Sequence, residues 1–137
     1  AGEADIIQNM LHDYLWDSIS VRDTAVRVDR KENFYHGMIL GLLRSQENWL
    51  IQSNAETGEG YRDISIYTPE HIGIVIELKY AHDGNLEKAC AKALQQIREK
   101  KYAVGLRRRG MERIITYGIA FYEKECMVVN GENKKSQ

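Results

Sequence analysis

The chain has one proline in 137 residues, only two cysteines, and no apolar run long enough to cross a bilayer. Each scarcity excludes something. With Pro69 alone there is no proline-rich linker, and no low-complexity run divides the chain. Cys90 and Cys126 form no CxxC, and no histidine pair has zinc spacing, so a disulfide scaffold and a structural zinc site both lack support. A reduced, cytoplasmic setting is the default expectation. A membrane span needs ~18 or more consecutive apolar residues, and the N-terminus lacks a charged-then-apolar secretory pattern. No GxxxxGK[ST] loop is present to cradle nucleotide phosphates, which disfavours ATP hydrolysis by this chain.

Net charge is also scarce: 19 Lys+Arg stand against 20 Asp+Glu, a total of −1. That total hides a polarity. Residues 1–85 carry 7 basic and 14 acidic groups, and residues 86–124 carry 10 basic and 4 acidic groups. The basic part includes Lys88, Lys92, Arg98, Lys100, Lys101 and the run Arg107-Arg108-Arg109. Such a stripe suits phosphates even in a neutral protein. A solvated helix face and a charged turn would look the same by charge alone.

What is present is ordinary globular composition, 43% hydrophobic and 28% charged, which predicts one compact domain. Apolar spacing predicts a helix over 3–19 and another over 29–44. In the second, Glu32 and His36 fall at the edge of the buried stripe. The period then shortens. Trp49–Gln52 reads as a strand, 54–60 as a turn cluster, 61–67 as a second strand and 71–79 as a third, central one. Asn85 is placed to cap a helix over 86–100. Residues 105–110 read as a basic loop, and 114–122 and 126–129 as two last strands. The expected order is α-α-β-β-β-α-β-β, an α/β fold with helices packed on a central sheet. Trp16, Trp49 and the tyrosines read as core.

Two strands carry charges where strands seldom do. Asp63 shares a face with Tyr61, Ser65 and Tyr67. Glu77 and Lys79, two apart, share a face of the third strand, while Ile72, Ile74, Ile76 and Leu78 take the other. Buried unpaired, such groups cost several kcal/mol, so they need a partner, a metal or water. Two carboxylates on neighbouring strands suit a hard cation such as Mg²⁺, with an ammonium nearby to orient water. A cross-strand ion pair at a sheet edge is the alternative from spacing. Glu-x-Lys recurs at Glu99-Lys101 and Glu132-Lys134, but only Glu77-Lys79 ends a buried strand.

Four segments in order give the pattern its meaning: Glu32-Asn33-Phe34-Tyr35-His36-Gly37, Gly58-Glu59-Gly60-Tyr61-Arg62-Asp63-Ile64, Ile76-Glu77-Leu78-Lys79, and Ala93-Leu94-Gln95-Gln96-Ile97 with Tyr102. The chain resembles a PD-(D/E)XK nuclease superfamily domain, and within it the type found at the C-terminal end of bacterial AAA-ATPase-like proteins. The resemblance covers about residues 29–129 and implies a restriction-endonuclease-like α-β-β-β-α-β core. Residues 1–28 then form an N-terminal helical extension, and 29–137 the nuclease-like domain. It implies Asp63 and Glu77 as metal-binding acids, with the Leu78 carbonyl as a further ligand and Glu32 acting through water. Lys79 is its motif lysine and Gln96 its helix glutamine. The helical wheel agrees that Gln96 lies toward the sheet and Gln95 toward solvent. Arg62 stands where the superfamily's name has proline. His36, one turn from Glu32, and Tyr102 are supporting candidates. A hydrogen-bonded helix histidine is an equal reading of His36.

The expectation is a Mg²⁺-dependent deoxyribonuclease, with Mn²⁺ as a substitute. DNA would be held by Lys88, Lys92, Arg107, Arg108 and Arg109 without sequence readout. The alternative is a catalytically silent, nucleic-acid-binding or interaction module of an AAA-ATPase-like protein. No membrane partner is expected, and a homodimer is left open.

Overall fold

In the computed structural model the described residues are 2–18, 31–55, 62–100 and 106–131. Helix α1 spans Gly2–Ser18 and α2 Lys31–Leu43. Strands β1 (Leu50–Ala55), β2 (Arg62–Tyr67) and β3 (Ile72–Tyr80) follow, then helix α3 (Leu86–Lys100) and strands β4 (Arg113–Tyr122) and β5 (Glu125–Asn130). The element order is the expected one. Strand β1 runs further than Trp49–Gln52, because Asn54 and Ala55 continue its ladder opposite Asp63 and Arg62. The remainder of the expected turn, 56–60, and the connection 20–28 lie outside the described residues. The basic loop contains a helical turn at 106–108, seated by the buried Leu106.

The five strands form one sheet in the order β1-β2-β3-β4-β5. Strands β3 and β4 are parallel, and every other pair is antiparallel. The parallel pair requires a crossover, which α3 supplies. Its start is set locally: Asn85 Oδ1 accepts the Lys88 amide at 3.1 Å, and Asp83 Oδ1 accepts the Asn85 amide at 3.0 Å. This capping satisfies amides that the first helical turn leaves without partners.

Period-two alternation divides the sheet into two faces. On one, Ile64, Ile66, Ile76, Leu78, Ile119 and Phe121 pack with Leu11 and Leu15 of α1 and Tyr35 and Ile39 of α2. On the other, Val75 packs with Leu94 and Ile97 of α3 and with Leu106. The result is three layers, with two helices on one face and one on the other. Helix α1 also covers the outer edge of β5, where Gln8 Oε1 accepts the Val128 amide at 2.9 Å. That contact blunts an edge strand. Trp49 is partly buried against the core, as expected, but Trp16 is 51% exposed. It lies on the outer side of α1, under the Lys124 ammonium, 4.6 Å from the ring centre. Among the described residues, no helix is long and apolar enough to cross a membrane.

Candidate active site

Strand β2 places Asp63, Ser65 and Tyr67 on the α3 face, because Ile64 and Ile66 take the opposite, apolar face. Strand β3 does the same for Val75, Glu77 and Lys79. The register then decides the geometry: Asp63 is the direct cross-strand partner of Glu77. Directly opposed residues have Cβ atoms about 4.5–5.5 Å apart, so two carboxylates project side by side from one face. Both residues are 0% exposed. Lys79 is half-buried, one pleat further along the same face.

Among the described residues the β2–β3 ladder ends at this pair. From Leu78 onward, among the described residues, β3 has a ladder partner only in β4. The Leu78 side chain is in the core of the other face, so only its backbone belongs with the carboxylates. Across β3, Glu77 is in register with Gly118 and Lys79 with Ala120. Small residues are needed there because α3 comes close. A Cβ at Gly118 would lie 2.9 Å from the Cys90 carbonyl oxygen and 3.3 Å from Ala93 Cβ.

That contact sets the height of Gln96. Ala93 lies at the level of Glu77, and Gln96 is one helical turn further on. Gln96 Oε1 is buried and accepts no hydrogen bond from a described group. Gln95 instead points outward and bonds Glu99 at 2.9 Å. The two glutamines therefore divide as the wheel predicts.

Asp63 Oδ1 and both Glu77 carboxylate oxygens are likewise buried and accept no hydrogen bond from a described group, while each residue takes part in other polar or electrostatic interactions. Among the described residues, no group of three or more His, Cys, Asp or Glu is gathered. A metal here would take two carboxylates, with backbone and water completing its shell. That donor set fits a hard cation such as Mg²⁺, which keeps several waters and binds through one or two carboxylates.

The remaining candidates separate. His36 is buried, and its Nε2 is 3.0 Å from Ser53 Oγ. Ser53 is in register with Ile64, so this contact lies on the face opposite Asp63. Glu32 is in the first turn of α2, but its side chain is outside the described residues, as is Tyr102. Lys88 and Lys92 are exposed on α3, and Arg107, Arg108 and Arg109 are exposed beyond it. Arg109 lies over the Tyr67 ring, 4.9 Å from its centre. The sequence noted that Tyr67 shares a face with Asp63, but nothing local signals that Arg109 meets it. An apolar cavity of about 590 Å³ lies between α1 and α2, on the other face of the sheet. It is lined by none of the candidate site residues.

No curated protein and no solved structure gave a match. A family model described as the PD-(D/E)XK nuclease superfamily matches residues 30–131. That match spans both carboxylate strands, the lysine and the glutamine helix, and the five-stranded sheet flanked by helices is consistent with the family's restriction-endonuclease-like fold. The chain belongs to the PD-(D/E)XK nuclease superfamily, which points to metal-dependent nuclease activity.

Proposed function

We propose that this chain hydrolyses phosphodiester bonds of DNA with Mg²⁺ held between Asp63 and Glu77. The observation that carries the reading is their direct cross-strand pairing on one face, with Lys79 next on that face. A hard cation in this position supplies positive charge against phosphate oxygens and acidifies water. The protein's own groups do the rest. Asp63 and Glu77, paired across the two strands, would offer their oxygens side by side. The Lys79 ammonium donates hydrogen bonds to an attacking water or to a non-bridging phosphate oxygen, fixing its approach. The Gln96 amide, held by α3 above the same face, has carbonyl acceptor capacity for that water. Lys88, at the start of α3, and the arginine turn at its far end offer cations to the backbone on either side. Glu32 acting through water, and an AAA-ATPase-like parent chain, are further parts of the proposal.

One observation favours a second reading. With both acids 0% exposed, the chain would serve as a silent nucleic-acid-binding module of that parent. The two readings separate in one assay. Wild type should cleave single- or double-stranded DNA with Mg²⁺ or Mn²⁺ and stop with chelator. Asp63→Asn, which keeps the shape, should lose at least roughly a hundredfold in rate while melting as a folded protein. DNA binding without cleavage under every divalent metal would establish the silent module instead.

A further inference from the structure

The arginine run is not three equivalent cations. Its turn is anchored from below. Leu106 is buried against Val75, Leu94 and Ile97. Gly73 makes room for that anchor, since a Cβ there would lie 3.1 Å from Met111 Cγ and 3.3 Å from both Leu106 methyls. Gly73 is in register with Tyr67, so the anchored turn stands beside the tyrosine. Gly110 closes the turn at φ 89°, and the amides of Arg109 and Met111 both bond the Leu106 carbonyl, at 3.1 and 3.2 Å. Arg109 then lies over the Tyr67 ring, and the Tyr67 hydroxyl donates to Gln52 Oε1 at 3.1 Å. The ring is fixed at one end by Gln52 and covered at its face by the guanidinium. Arg107 and Arg108 are simply exposed.

A guanidinium placed over an aromatic ring spends its flat face on the ring and keeps its N–H edges for a ligand. A planar fork suits a phosphate. The conformational entropy lost on binding is smaller because the side chain is already placed. Tyr67 is on the same strand and the same face as Asp63, four residues away, which is about 13 Å at ~3.3 Å per residue. Along one strand of a duplex the axial rise of ~3.4 Å is the least separation of neighbouring phosphates, so that distance spans at most about four nucleotides.

We propose that Arg109, seated on Tyr67, binds a single substrate phosphate within about four nucleotides of the cleaved bond, and so sets how far the substrate must extend on one side. The inference rests on the nuclease reading and adds a specific subsite to it. Arg109 is a binding residue and does not touch the reacting atoms.

The test uses the whole chain and a short DNA duplex whose cleavage position has been mapped. Neutral methylphosphonates replace one phosphate at a time on either side of that position. In wild type, one replacement within about four nucleotides on one side should raise KM roughly fivefold and leave kcat unchanged. Arg109→Ala should raise KM by the same factor and become insensitive to that replacement, with a salt slope shallower by about 0.9. Arg107→Ala and Arg108→Ala should stay sensitive to it. If wild type cleaves but Arg109→Ala keeps its KM and its sensitivity, the subsite is overturned and the nuclease reading stands. If wild type cleaves no DNA with any divalent metal, the nuclease reading falls and takes the subsite with it.

Discussion

Cys90 and Cys126 show how burial acts on a single group. Burial pushes the Cys90 thiol up to about 11, and that of Cys126 to about 12, from an ordinary 9.0. Cys90 Sγ donates toward the Gly118 and Met127 carbonyls, at 3.5 and 3.3 Å. Between pH 9 and 11 the unfolded chain has lost protons that the native thiols still hold, so stability falls as pH rises through that window. The Cys90 contribution lost by pH 10.5 should be about 1–2 kcal/mol. Urea midpoints at pH 8 and 10.5 should therefore converge more closely in Cys90→Ala than in wild type. At the same scale, Asp63, Glu77 and Lys79 were legible because a strand's parity fixes which side chains share a face. The partner of His36 was not. A helical wheel shows which side a residue faces but not what stands opposite, and here Ser53 of an edge strand stands opposite.

Helix α3 is the element that shapes the site from above, and Gly118 is the contact on which it rests. A methyl group there would meet the Cys90 carbonyl, a backbone atom that cannot swing aside, at 2.9 Å. Gly118→Ala should cost about 1–3 kcal/mol and lift α3 from β4, moving Gln96 away from the carboxylate face. Thermal melting gives the cost, and a lower cleavage rate reports the displaced helix. The order of elements was legible from hydrophobic period and from the cap at Asn85. Residues 54 and 55 were misread as turn, because Asn and Ala look like turn or neutral residues locally. The ladder against β2 overrides that preference. The helical turn at 106–108 was hidden for a related reason: its one apolar residue, Leu106, takes its meaning from Gly73, more than thirty positions away.

At the scale of the molecule, α1 lies outside the segment that matches the family, 30–131, yet it supplies Ala4, Leu11 and Leu15 to the main core. Leu15 is fully buried, so Leu15→Ala should destabilise the whole fold by about 2–5 kcal/mol. Chemical denaturation followed by tryptophan fluorescence and by circular dichroism should show both signals falling together, at a lower midpoint. Divergent midpoints would mean that α1 melts apart from the rest. The near-zero net charge also acquires a structure. The acids proposed for the metal lie at the centre of the sheet, and the basic residues proposed for phosphate lie around the rim.

Strand β3 occupies the middle of the sheet, with ladder partners on both sides up to Glu77 and packed layers above and below. Backbone amides in such a position exchange with solvent deuterium only when the molecule opens as a whole. The proposed chemistry is thus borne by backbone expected to exchange slowly. Amide exchange within β3 up to Glu77 will report the global free energy of unfolding, and the frame that aligns the two carboxylates persists for as long as the fold does.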